Sequence, residues 1–142
     1  QTIMSHIVTT SYNLGMSFTS HIDSHTLQME SSVPGNDSPG APSPKKLMLA
    51  SLTGCTGVDI VNILEKMKVS FSDFTITAIA DLSASHPQIY NRVKLEHRIK
   101  IDEAERPRME RAMKLSEEKY CGVMAMFKAF ATIETHLEIV PQ

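Results

Sequence analysis

The hydrophobic rhythm of the chain changes at Ser43. Before that point, short runs alternate with a period of two. Met16, Phe18, Ser20 and Ile22 interleave with Ser17, Thr19 and His21, and Leu27 and Met29 continue the pattern. Such alternation predicts half-buried strands. With a β-branched run at Ile3–Thr9 and turns at Asn13-Leu14-Gly15 and Asp23-Ser24, residues 1–30 read as a three-stranded meander with one apolar face. Residues 31–42 (SSVPGNDSPGAP) carry the prolines, glycines and Asn36-Asp37 of a loop, either a connector or a lid.

Residues 43–68 then form the central element, a helix. Ser43 and Pro44 suit a cap and a first turn. From Leu47 to Leu64 nearly every position is apolar or small, and only Asp59 and Asn62 are firmly polar. A helix without a wide polar face is expected to be buried on most sides. Asp59, Asn62 and two internal glycines argue for a core helix rather than a membrane span.

Residues 69–101 read as an antiparallel hairpin. Phe74, Ile76, Ala78, Ala80 and Leu82 face inward on its first strand, and Val93, Leu95, His97, Ile99 and Ile101 on its second. His97 on the apolar side is expected to be a hydrogen-bonded core histidine. Residues 102–130 are helical, with Asp102 or Glu105 near the start, and Pro107 requires the regular helix to begin close to it. Cys121-Gly122 interrupts the pattern before a second short helix. Residues 131–140 close the chain as a strand. The order predicts an α+β fold in a single domain spanning 1–142.

Composition narrows the function classes. The chain is 42% hydrophobic and 21% charged with a net charge of −2, so no basic surface calls for nucleic acid. No charged segment followed by an apolar run opens the sequence, and two cysteines make no disulfide framework. The expectation is therefore a reducing, cytoplasmic setting, in which a disulfide would be catalytic rather than structural. The sequence has no phosphate loop, HExxH or GxSxG, and His21 and His25 lie on strand and turn rather than one helix face. Neither a metal set nor a cofactor is read from these patterns.

The two cysteines carry the chemistry. Cys55 sits in the middle of the central helix, about 14 Å from its N-terminus by helical rise, too far for strong help from the dipole. Asp59 at i+4 would raise the thiol pKa if it faced the sulfur. Cys121 stands at a helix junction, either as a thiolate favoured by backbone N–H groups or as a corner-filling apolar residue. Two cysteines on different elements are what a dithiol–disulfide cycle requires.

The stretch GAPSPKKLMLASLTGCTGVDIVNILEKM, followed by LSEEKYCGVMAMFK, resembles the OsmC/Ohr family, and the likeness covers nearly the whole chain. The resemblance implies an intertwined homodimer with central helices back to back inside wrapped sheets. It further implies reduction of organic hydroperoxides, with Cys55 attacking as a thiolate, Cys121 resolving the sulfenic acid to a disulfide, and a dithiol reductant resetting the pair. Peroxidase members of that family use an N-terminal arginine and a glutamate at the helix start. This chain has no arginine before Arg92, and Lys45 and Lys46 stand where the glutamate is expected. Lys46 either supports the thiolate or is a tolerated surface residue. The rival function is a non-catalytic dimer that binds a small apolar or thiol-reactive molecule.

Overall fold

A computed structural model describes residues 4–142, and the chain divides after Met48 into two compact units.

In the first unit, β1 (Val8–Tyr12), β2 (Ser17–Ile22) and β3 (His25–Glu30) form an antiparallel meander in that order. The turn at Asn13–Gly15 sets the register: Asn13 N–H donates to the Ser17 carbonyl, and Gly15 takes a φ of +63° that favours glycine. Val8 thereby pairs with Ile22, the last residue of β2. Among the described residues the first strand starts at Val8, because residues 4–7 have no partner on β2; Ile3 lies outside the described residues. The same register gathers Tyr12, Phe18 and Met29 across the three strands, with the Tyr12 and Phe18 rings 5.3 Å apart. The expected apolar face thus exists, but Val8, Tyr12, Phe18, Ile22 and Leu27 on it are exposed. On the opposite face Thr19 is buried, accepting from the Asn13 side chain and donating to Gln28, each at 2.9 Å. Residues 31–42 fold back on Glu30, whose carboxylate accepts from Asn36 and from the Gly40 N–H.

Helix α1 (Pro44–Lys66) is capped by Ser43, whose hydroxyl accepts from the Lys46 N–H at 3.3 Å. It ends where Lys68 adopts a φ of +59° and the Val69 N–H reaches back to the Leu64 carbonyl, with Val69 buried against Leu64 in the core. This closure delays the next strand, so β4 spans Ser72–Leu82 rather than starting at Val69.

In the second unit β4 pairs antiparallel with β5 (Tyr90–Lys100), and β6 (Thr132–Val140) joins the other side of β5 in parallel. A parallel return needs a crossover. It consists of a single 3₁₀ turn (Glu103–Glu105), α2 (Arg106–Leu115), a π turn (Ser116–Tyr120) and α3 (Gly122–Lys128). Pro107 falls in the first turn of α2, where its missing N–H costs nothing. One inward assignment fails. Leu82 is exposed, because the register shifts between Asp81 and Leu82 and turns the last side chain away.

Helix α1 lays the i, i+4 stripe Leu52, Thr56, Ile60 and Leu64 into the core. Leu52 packs with Tyr90, Val93, Leu95, Cys121, Met124 and Phe127, and Ile60 and Leu64 pack with Val69, Ile99, Ile101, Met109 and Ala112. The expectation of burial on most sides is not met within one chain. Val58 is 70% exposed on the opposite face, which also presents Gly54 and Asn62 around a shallow groove. By length and composition α1 could cross a membrane, but its buried stripe makes it a core helix.

His97 is the core histidine the alternation predicts. It is buried, its Nδ1–H donates to the His136 carbonyl at 3.3 Å, and its ring stacks on Phe74. Its Nε2 is buried without a hydrogen-bond partner among the described residues, and burial lowers its pKa from 6.5 despite the carbonyl contact. The folded state thus favours neutral imidazole, and the unfolded chain takes up the proton first as pH falls. The stability tied to His97 is full above 6.5 and is lost as pH drops from there toward the folded value. His97→Leu should change stability by no more than about 1 kcal/mol at neutral pH. It should also flatten the decline below pH 6.5, as read by urea titrations across pH. An unchanged acid limb would assign that decline to other groups.

Candidate functional site

The site forms where the middle of α1 meets the start of α3. Cys55 and Asp59 share one face of α1, a single turn apart. Thr56, on the buried stripe, separates the two halves of the core. Opposite them the crossover tightens into the π turn, in which the Cys121 N–H donates to the Ser116 carbonyl five residues back at 2.9 Å. Such turns recur at functional positions, because the extra residue redirects the chain. Here it points the Cys121 side chain at α1.

Cys121 Sγ lies 2.9 Å from Cys55 Sγ, with the Cys121 S–H as donor, and both cysteines are free thiols. At the Cys121 sulfur, the Met124 N–H donates at 3.3 Å and the Thr56 hydroxyl lies at 3.7 Å. The Ser116 hydroxyl, itself fully buried, donates to Asp59 Oδ2 at 3.2 Å. Cys55 Sγ, an Asp59 oxygen and Cys121 Sγ all lie within 4.8 Å of one another.

The two thiols differ in environment. Cys121 is 3% exposed, whereas Cys55 is half-buried. Burial pushes the Cys121 thiol up, and its contact with Cys55 adds to this; the Met124 amide and Thr56 hydroxyl oppose both and are outweighed. Of the two readings open for Cys121, burial fits the corner-filling thiol, and the Met124 N–H at its sulfur is the contact that the thiolate reading requires. The backbone N–H at the start of α3 does reach its sulfur, without compensating for the loss of water.

A cavity of about 490 Å³ adjoins Asp59. It is walled by Ile63, Met67, Leu115 and Tyr120 and carries Asn62, Lys66 and Arg111. Sequence reading named Cys55, Asp59 and Cys121, which the fold brings together. It missed Thr56, Ser116, the Met124 N–H and Arg111. The helical spacing of Thr56 from Leu52 and Ile60 was a usable signal. A π turn leaves none, so Ser116 could not be placed.

Lys46 lies exposed in the first turn of α1, nine positions before Cys55, and that turn holds no acidic side chain. Lys46→Glu should stabilise the chain by roughly 0.5–1 kcal/mol by completing a reciprocal cap with Ser43 and favouring the dipole. Thermal unfolding checks this. A loss of stability, or faster alkylation of Cys55, would exclude respectively the capping gain and a supporting role of Lys46 toward the thiolate. His21 and His25 occupy adjacent strands, and His25 pairs with Ile22 rather than with His21.

Comparison with known proteins gives a consistent picture. A family model described as OsmC-like protein matches residues 35–136. Protein YhfA of Escherichia coli (strain K12) is 28% identical over 106 residues, covering 75% of this chain and 79% of that protein. A hypothetical protein from Aquifex aeolicus VF5 superposes with a TM-score of 0.86 at 25% identity, covering 99% of each chain. An organic hydroperoxide resistance protein from Legionella pneumophila shares the fold, with a TM-score of 0.68 at 16% identity, covering 97% of this chain and 99% of that one.

Proposed function

The chain belongs to the OsmC-like protein family, and from that premise we propose that it reduces organic hydroperoxides through a Cys55/Cys121 dithiol–disulfide cycle. The observation that carries the reading is the 2.9 Å approach of two free thiols on separate elements. The name of the Legionella relative points to the same substrate class.

The roles follow from the environments. Cys55 is the more accessible sulfur and the acceptor of the Cys121 S–H, so it attacks. Its thiolate takes the distal peroxide oxygen, the O–O bond breaks, and the alkoxide leaves as the alcohol once protonated. Cys55 is then a sulfenic acid. Cys121, buried and harder to ionise, is the resolving residue. Its sulfur displaces hydroxide from Cys55, water leaves after protonation, and the disulfide forms. An external dithiol takes the disulfide back to two thiols. The apolar walls of the neighbouring cavity suit the organic part of the peroxide. No arginine occurs among residues 1–91, and in this reading the Cys121 thiol, 2.9 Å away, is the hydrogen-bond donor to Cys55.

The working unit in this reading is a homodimer in the cytoplasm. Val58 and Gly54 on α1, and separately Tyr12 and Phe18 on the meander, form uncovered apolar surfaces on a single chain. A second copy covers them without requiring a new surface. Light scattering should return twice 15.8 kDa, and Val58→Asp should shift the mass toward one chain. A monomeric wild type would remove the dimer.

For the chemistry, one equivalent of cumene hydroperoxide added to the reduced protein should consume two thiols. Mass spectrometry should then find an intramolecular link between the Cys55 and Cys121 peptides. If Cys55 stays reduced, the non-catalytic binding reading replaces this one.

A further inference from the structure

Cys55, Asp59 and Cys121 can do something that a disulfide cycle does not require. We propose that in the reduced state they form a binding site for one thiophilic divalent metal ion, of the zinc type. This inference rests on the geometry of the three side chains and stands whether or not the pair turns over peroxide.

The donor atoms are two sulfurs and one carboxylate oxygen, all within 4.8 Å of one another. Zinc binds thiolate sulfur at about 2.3 Å and carboxylate oxygen at about 2.0–2.2 Å, so a tetrahedral site has donor–donor edges of about 3.5–3.8 Å. In the cluster no donor–donor distance exceeds 4.8 Å. The two sulfurs, now 2.9 Å apart, must open by about 0.9 Å to reach the tetrahedral edge. Cys55, the half-buried of the two, is the side chain that has to turn. Three protein donors leave the fourth position to water.

The surroundings are those of an oriented ligand set. Asp59 is held through Oδ2 by the buried Ser116 hydroxyl, as ligating carboxylates are held from outside the coordination sphere. The Met124 N–H points at Cys121 Sγ and would offset part of a thiolate's charge. Two thiolates and a carboxylate carry three negative charges, which a divalent ion reduces to one. Two sulfur donors select against magnesium and calcium.

Binding and oxidation exclude each other. Loading the site replaces both thiol protons by the metal and releases them. A hydroperoxide acting on the loaded site takes two electrons from the sulfurs. With two protons it leaves as one alcohol and one water, the S–S bond forms, and the divalent ion is freed.

The test is a cobalt(II) titration of the reduced full-length chain without oxygen. The expected result is a thiolate-to-cobalt charge-transfer band saturating at one ion per chain and bleached by zinc. Cys55→Ser and Cys121→Ser should each abolish it. Asp59→Asn should weaken binding by tenfold or more, and Ser116→Ala by about tenfold. The disulfide form of the wild type should give no band, a control that needs no mutation. Zinc should also slow alkylation of both thiols in the reduced wild type. Absence of the band, its persistence in Cys121→Ser, saturation at half an ion per chain, or an Asp59→Asn affinity within twofold of wild type would each overturn the site. Peroxide oxidation measured in parallel with a chelator present reports on the proposed reaction alone, so the two ideas fail separately.

Discussion

Cys55→Ser should lose peroxide turnover with a dithiol donor by on the order of 10³-fold or more, because the thiol that remains, Cys121, is buried and harder to ionise. Cys121→Ser should behave differently. Its first turnover should keep a rate near that of the wild type, since the attacking sulfur is intact. The sulfenic acid then has no partner at 2.9 Å and should accumulate or advance to sulfinic acid under excess peroxide. The contrast separates attack from resolution and is read by peroxide consumption together with intact mass. A Cys55→Ser variant within tenfold of wild type would end the assignment. Reversed behaviour, with Cys121→Ser the dead variant and Cys55→Ser overoxidised at Cys121, would exchange the two roles.

Phe127→Ala should cost about 3–5 kcal/mol, the largest stability loss of any substitution considered above. Phe127 is 2% exposed, lies in the same core cluster as Leu52, Leu95 and Met124, and meets the Phe130 ring at 4.9 Å. Removing the ring leaves a cavity under a helix of only seven residues, α3, which has little stability of its own. Because Cys121 caps that helix and packs in that cluster, the loss reaches the site. The Cys121 thiol should therefore react faster with an aromatic disulfide reagent, in step with the fall in denaturant midpoint. A stability change below about 1 kcal/mol would mean that the cluster closes over the gap. An unchanged thiol rate despite a large loss would uncouple α3 from the site.

Strand rhythm and helix length were legible in the residues because each rests on local periodicity. The alternation Val93, Leu95, His97 and Ile99 is inward along β5 as read, with Ile101 buried just past its end, and Ile133, Thr135, Leu137 and Ile139 share one side of β6. A β-strand sends successive side chains to opposite faces whatever surrounds it, so such patterns survive folding. Errors arose where a neighbour decided. Val8 begins β1 because β2 ends at Ile22, and Leu82 turns outward because β4 slips against β5. Val69 belongs to a helix closure because Lys68 takes the left-handed conformation, which a lysine does not announce.

The residues by themselves thus determined the elements and the near-continuous apolarity of α1, and they singled out the two thiols as candidates. These follow from side-chain polarity, backbone period and the chemistry of sulfur. Only the tertiary structure decided which stripe of α1 is buried and what those thiols face. A π turn between α2 and α3 carries Cys121 onto α1, which leaves Cys121 buried with a raised pKa and its S–H aimed at Cys55. It also sets Ser116 against Asp59. No sequence separation of 57 or 66 residues encodes such contacts. They depend on where a parallel crossover sets its last turn, and that is settled by how the whole layer packs.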